Sequence, residues 1–338
     1  MRPHFAHGIF LSPEPVCLMP CCDPLDPPAV PRLEGLRVER RVVEVDGHRV
    51  AAEMHLREQA QPPLVFVHGV LTSTCLGREL FDDPESASWI ALSLPGHFGG
   101  RFAEGTGRSG IDAALYVRLI EGALQQLVGS QPVILAGWSL GGFTALAVTA
   151  AHPERVRAVA SLAGFAEPRF AGVVRVMSWL VRLPGMAMLV RVGLWMAGHL
   201  PRVFWLVALL TAHNWKACLA EPGRSTLNGV WRRYRCHDPA AMAAVLATLH
   251  RLNVGDRVAS IRCPVWIGSG SHDPVVPLAE ARRIAARLPQ AQLKVYPRAG
   301  HMFFCEWAGF RDDLAAWLAE VEAGGSAGRS PQRPSAGG

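Results

Sequence analysis

Residues 134–145 read ILAGWSLGGFTA: an apolar run, a serine at 139 with Gly137 before it and Gly141 and Gly142 after it, then small and apolar residues again. In ordinary helix each interior glycine costs about 1 kcal/mol relative to alanine. Bare backbone at three positions around one hydroxyl therefore points to a local steric demand. The pattern is G-x-S-x-G, set after a predicted strand (PVILAG, 132–137) and before a predicted helix (SLGGFTALAVTAAHP). In that setting the serine occupies a tight turn, and glycines let strand and helix backbones approach each other.

Working outward, the chain alternates strand and helix. LRVERRVVEV and HRVAAEMHL flank Asp46-Gly47 and read as a β-hairpin. LVFV (64–67) and WIALS (89–93) are short apolar runs, the signature of strands buried on both faces. Residues 111–128 carry helical spacing, with Leu115, Leu119, Leu124 and Leu127 on one face. After Pro153 come strand RVRAVASLAG and, much later, strand CPVWIGSG, helix PLAEARRIAARL, strand QLKVYP and helix WAGFRDDLAAWLAEV. A hairpin followed by alternating strands and helices predicts an α/β fold, a mostly parallel sheet with helices on both faces. Residues 166–235 break the rhythm with helical spacing only and are expected as a cap inserted after the sixth strand. The core is then expected over 35–165 and 236–322. A proline-rich extension (1–34) precedes it, and a glycine- and serine-rich tail (323–338) with nothing to bury is expected to be disordered.

A serine hydroxyl needs a base, and the base needs an orienting group. SGSHDPVVP places Asp273 just past one predicted strand, and YPRAGHMFFCEW places His301 just past the last. Ser139, Asp273 and His301 thus fall at successive strand ends in the chain order Ser…Asp…His. The N–H of Leu140, at the helix N-terminus, and that of Val70, after the HG turn at 68–69, are the expected donors to a developing oxyanion. His68 is expected to brace that turn.

HG at 68–69, LPGH at 94–97, GWSLGG, AHPERV, GSHDPVVP and AGH together resemble the α/β-hydrolase superfamily, over about residues 36–165 and 238–322. The resemblance implies the α/β-hydrolase fold, no cofactor and no metal, and Ser139, Asp273 and His301 as the catalytic triad. GWSLGG…HPERVRA is also similar to the carboxylesterase that demethylates a carrier-protein-bound ester in biotin synthesis. One departure is visible. Where the family often has DLPGHG, Ser93 replaces the aspartate and Phe98 the last glycine, in a loop expected at the pocket entrance.

Between Arg169 and Arg235 ten cationic residues face one acid, Glu221, for a local charge of +9, while the whole chain carries +6. The same segment holds five of the ten tryptophans. Leucines, tryptophans and arginines on helices suit a lid that covers an apolar acyl pocket and exposes cations to solvent. They also suit one that contacts an anionic membrane or an acidic acyl carrier protein. Trp138, Phe98 and the cap residues Trp179, Trp195 and Trp205 are the candidate substrate contacts. No uninterrupted apolar run reaches the roughly 20 residues needed to cross a bilayer. Prolines break up the N-terminal stretch, so no secretory signal is expected and the predicted location is cytoplasmic, with peripheral membrane contact through the cap. Eight scattered cysteines do not suggest a disulfide framework, and no zinc-finger or RNA-binding pattern points to nucleic acid. The expected function is hydrolysis of a carboxylic ester or thioester with an apolar acyl group through an acyl-enzyme. The alternatives are acyl transfer by the same triad or acyl-ligand binding without turnover.

Overall fold

The computed structural model describes residues 37–57, 63–80 and 88–327. The proline-rich head, with Cys17, Cys21 and Cys22, lies outside the described residues, as does the tail from residue 328. Eight strands form one sheet: β1 (Glu39–Val45), β2 (His48–His55), β3 (Leu64–Val67), β4 (Trp89–Ser93), β5 (Val133–Trp138), β6 (Val156–Leu162), β7 (Val265–Gly270) and β8 (Ala291–Tyr296). Their spatial order is β1-β2-β4-β3-β5-β6-β7-β8. β2 runs antiparallel to β1 and β4, and all other neighbours are parallel. This is the α/β-hydrolase fold that the resemblance implies.

Position in the sheet explains the strand sequences. Every residue of β3, β4 and β5 is buried, because helices cover both faces of the central strands, whereas the edge strand β8 alternates between partly buried and exposed residues. The chain steps outward from β3 to β4, then returns past β3 to β5. The strand order reverses there, and the carboxyl ends of strands at such a switch point leave a crevice in which ligands bind. Ser139 follows the last residue of β5.

Core helices pack on both faces. α1 (Ala113–Val128) starts where the Asp112 carboxylate accepts the Leu115 N–H at 2.8 Å, and stops at Gly129, with φ +62°. α2 (Leu140–Ala151) follows the serine turn. Between β6 and β7 the chain makes an all-helical excursion: α3 (Gly172–Leu180), α4 (Met186–His199), α5 (Pro201–Leu209), α6 (Trp215–Leu219), α7 (Gly223–Tyr234), α8 (Pro239–Thr248) and the short α9 (Gly255–Val258). α8 packs on α3 and α4, whereas α9 packs on α2 and on α10 (Leu278–Arg287). The boundary expected at 235 therefore falls inside the helical region, which continues to Thr248. α11 (Phe303–Glu306) and α12 (Phe310–Ala327) complete the chain, and α12 continues past residue 323, where the tail was expected to begin.

A buried ionic cluster fastens this excursion to the sheet. Arg233 of α7 is 1% exposed. It donates to both carboxylate oxygens of Glu53 on β2 and to the Thr74 hydroxyl, which in turn donates to Glu53 at 2.6 Å. Burial alone would raise the Glu53 pKa, but the adjoining Arg233 charge overrides it and holds the carboxyl below its ordinary value. The arginines of the segment are thus not all displayed to solvent. Cys236 is disulfide-bonded, a bond that the scattered cysteine spacing did not suggest.

Candidate active site

The steric demand of the serine turn is visible atom by atom. A Cβ on Gly141 would lie 1.8 Å from the Val67 carbonyl oxygen, and one on Gly137 would lie 2.1 Å from that of Gly141. β5, the turn and α2 are in backbone contact, and only glycine fits. Ser139 itself sits at φ +55°, ψ −114°, a conformation that non-glycine residues avoid. Its N–H donates to Leu162 O at 2.8 Å and its carbonyl accepts the Phe143 N–H at 3.0 Å, so both neighbouring elements enforce the geometry. Leu140 is the first residue of α2, where N–H groups lack intrahelical acceptors.

His301 and Asp273 meet beside Ser139. Nδ1 of His301 lies 2.8 Å from Oδ2 of Asp273, and both side chains are almost fully enclosed. The other carboxylate oxygen, Oδ1, accepts the N–H groups of Val275 and Val276 at 2.7 and 2.9 Å. With every oxygen engaged, Asp273 has one orientation, and that orientation leaves Nε2 of His301 as the free ring nitrogen. Ser139 and His301 line the same cavity. They make no hydrogen bond to each other, and contacts of this kind commonly tighten when a substrate binds. Trp138 Nε1 donates to His301 O at 3.0 Å, and its ring lies 4.8 Å from the imidazole, tying the residue before the serine to the histidine loop.

The cavity is apolar. Val70, Trp138, Phe165, Met177, Phe204 and Tyr234 are among its lining residues, with Leu140 and Val275, and among the described residues no Asp, Glu, Lys or Arg side chain lines it. The space within its lining, including that open to solvent at the mouth, is about 850 Å³. Of the candidate substrate contacts only Trp138 lines it. Phe98 is instead 1% exposed and packs beneath the Arg233 guanidinium, 5.4 Å from ring centre to carbon. Trp179 and Trp195 are about half exposed on the outer surface, and Trp205 packs edge-on against Phe204 without reaching the lining. The reason is helical phase: on α3, Val173, Val174 and Met177 take the inner face, leaving Trp179 outside.

Beyond His68, which the sequence analysis expected to brace the turn, three supports went unseen in the sequence: His97, His237 and Glu306. The turn carrying Val70 is held by buried neutral histidines. His68 donates from Nδ1 to Gly69 O at 2.8 Å and accepts the Leu94 N–H on Nε2 at 3.1 Å. His97 Nε2 accepts the Leu71 N–H at 3.3 Å. His237, arriving between α7 and α8, donates from Nε2 to Thr72 O and accepts the Phe98 N–H on Nδ1, both at 2.9 Å. Burial lowers all three pKa values, to about 4 for His68 and about 3 for His237. Glu306 is the other support, accepting the N–H groups of Gly300, His213 and Asn214 and so joining the His301 loop to the cap. HG and LPGH marked two of these histidines, but nothing local marked His237. No group of three or more His, Cys, Asp or Glu side chains among the described residues could hold a metal ion.

Residues 64–316 match the alpha/beta hydrolase family. Among curated relatives, the pimeloyl-[acyl-carrier protein] methyl ester esterase of Aromatoleum aromaticum is 29% identical over 276 residues, 78% of this chain and 99% of that protein. That of Chromobacterium violaceum is 28% identical over 51% of this chain and 64% of its own length. A protein carried under the name carbamate hydrolase RutD, from Caulobacter sp. strain K31, is 29% identical over 53% and 62%. In the last two the match spans less than two thirds of the relative. Among solved structures, the enol-lactonase from Burkholderia xenovorans LB400 superposes with a TM-score of 0.65 at 16% identity, over 84% of this chain and all of that one.

Proposed function

This chain belongs to the alpha/beta hydrolase family, and from that premise we propose that it is a serine hydrolase that cleaves a carboxylic ester or thioester with an uncharged, apolar acyl group. The observation that carries the reading is the joint placement of a serine at positive φ and an aspartate-oriented histidine on one apolar cavity.

In the proposed reaction the acyl group lies in the cavity and its carbonyl carbon faces Ser139. Nε2 of His301 takes the Ser139 proton as Oγ bonds to that carbon, and Asp273 stabilises the resulting imidazolium. Negative charge moves to the carbonyl oxygen, where the N–H groups of Leu140 and Val70 receive it. Collapse breaks the bond to the alcohol or thiol, which leaves with the proton from His301. Water, deprotonated by the same histidine, then attacks the acyl-enzyme, and breakdown returns Ser139 and releases the acid. The uncharged lining supports the substrate class, since a charged acyl terminus would lie there without a partner, a cost of several kcal/mol. The esterases named above act on a carrier-linked methyl ester, which supports ester cleavage as the reaction type.

A panel of p-nitrophenyl esters graded by acyl length, with and without a terminal carboxylate, tests this. Neutral acyl chains are expected to be preferred at least about tenfold over carboxylate-terminated ones. Ser139→Ala is expected to abolish both turnover and labelling by a fluorophosphonate probe. Undiminished labelling of that variant would remove Ser139 from its assigned role.

A further inference from the structure

Three helices of the cap are apolar on two opposite faces. On α3, Val173, Val174 and Met177 line the cavity while Val176 and Trp179 point to solvent, each more than half exposed. On α5, Phe204, Val207 and Ala208 line it while Leu206 is 61% exposed. On α4, Val190 and Leu194 are buried while Met188, Leu189 and Trp195 are exposed. Of the twelve large hydrophobic side chains exposed among the described residues, only Leu56 and Trp307 lie outside 176–215, so ten belong to this one region. α4 packs on both α3 and α5. A helix apolar all round is ordinarily buried, and a surface this rich in large apolar groups marks a contact site.

The charges identify the contact. From 168 to 220 the chain has no acidic residue. Arg175, Arg182, Arg191, Arg202 and Lys216 are all exposed there, and none forms an ion pair with a described carboxylate. Two such surfaces would repel each other, which argues against a second copy of the chain. An acidic protein partner would satisfy the cations but not the exposed tryptophans, leucines and methionines. A sheet of anionic headgroups over hydrocarbon satisfies both. No single described helix is long and apolar enough to cross a membrane, and α4 and α5 turn by 109° at their junction. That geometry suits helices lying in the interface.

We infer that the outer face of α3, α4 and α5 docks the protein on anionic phospholipid bilayers, with the apolar side chains in the headgroup–acyl boundary and the arginines on the phosphates. The same helices line the cavity, so docking sets the acyl pocket beside the hydrocarbon. The docking itself does not depend on Ser139 being a nucleophile.

Co-sedimentation of the full chain with vesicles tests the inference, using phosphatidylcholine alone or mixed three to one with phosphatidylglycerol. Binding is expected to the mixed vesicles at low salt, and to fall at least about tenfold on neutral vesicles or when salt shortens the screening length to about 3 Å. Arg191→Glu with Arg202→Glu, and separately Leu189→Ser with Leu206→Ser, are each expected to weaken binding at least about tenfold. Both variants are expected to retain turnover of a soluble short-chain ester and an unchanged circular dichroism spectrum. Failure of the wild-type chain to bind anionic vesicles overturns the inference. Equal binding by the charge-reversed variant, or equal binding to neutral vesicles, also overturns it. Loss of vesicle binding in both variants with fold and soluble-ester turnover intact upholds it, and those controls keep its failure separate from failure of the hydrolase reading.

Discussion

Ser139 occupies backbone space that suits glycine, and its proposed role as nucleophile gives the cost a functional reason. At φ +55° a residue with a Cβ is strained by about 1–2 kcal/mol. Relieving that strain separates stability from activity. Ser139→Gly is expected to be inactive yet more stable than the parent by about 1 kcal/mol, a rise of roughly 2 °C in the thermal midpoint for a protein of this size. Differential scanning calorimetry beside an ester assay checks both halves. A glycine variant less stable than the parent would mean that the serine side chain supports the turn rather than burdening it. At this scale the sequence was most legible: the close approach of Gly141 to Val67 leaves its demand written locally, as glycines at fixed spacing around the serine. Phe98 shows the opposite. Its environment is made by Arg233, 135 positions away, and no local spacing could place a guanidinium over its ring.

The element that most depends on distant partners is the turn after β3, which carries Val70. Each of His68, His97 and His237 accepts a backbone N–H on a ring nitrogen, so protonating any of them breaks a hydrogen bond as well as burying a charge. The sign follows. These histidines have folded pKa values below the unfolded value near 6.5, so between the two values the unfolded chain binds protons that the folded chain refuses. Stability contributed by the neutral histidines is complete above about pH 6.5 and declines as pH falls, by about 1.4 kcal/mol per pH unit per histidine, down to the folded values. Urea midpoints measured from pH 7.5 down to 5 are expected to fall, and His237→Asn to fall less steeply than the parent. Parallel slopes for the two would contradict the assignment. HG and LPGH pointed to this turn, whereas His237 was silent in the sequence because its role exists only once the cap folds back over the loop.

At the scale of the whole molecule, the sheet was legible because the central strands are buried on both faces and therefore read as continuous apolar runs, and because the helix phases of the core are regular. The end of the cap was not, since α8 is apolar on nearly every side and its assignment depends on packing against α3 and α4. Nor was the side of each cap helix that faces the cavity: helices apolar on both faces carry no phase signal, so the sequence does not distinguish the outward-facing Trp179 and Trp195 from side chains that line the cavity. The buried pair Glu53–Arg233, 180 positions apart, likewise has no sequence signature, yet it joins the cap to the sheet and so sets where the cavity wall stands over Ser139. Under the proposed hydrolysis, Oγ of Ser139 becomes covalently acylated during turnover. The most direct measurement is an acid quench of the reaction with a p-nitrophenyl ester in the pre-steady state, followed by peptide mass spectrometry. An acyl adduct on Ser139 is expected to form with the first release of p-nitrophenol and to disappear when substrate is exhausted. An adduct on a different residue, or continuing turnover with Ser139 unmodified at every quench time, would contradict it.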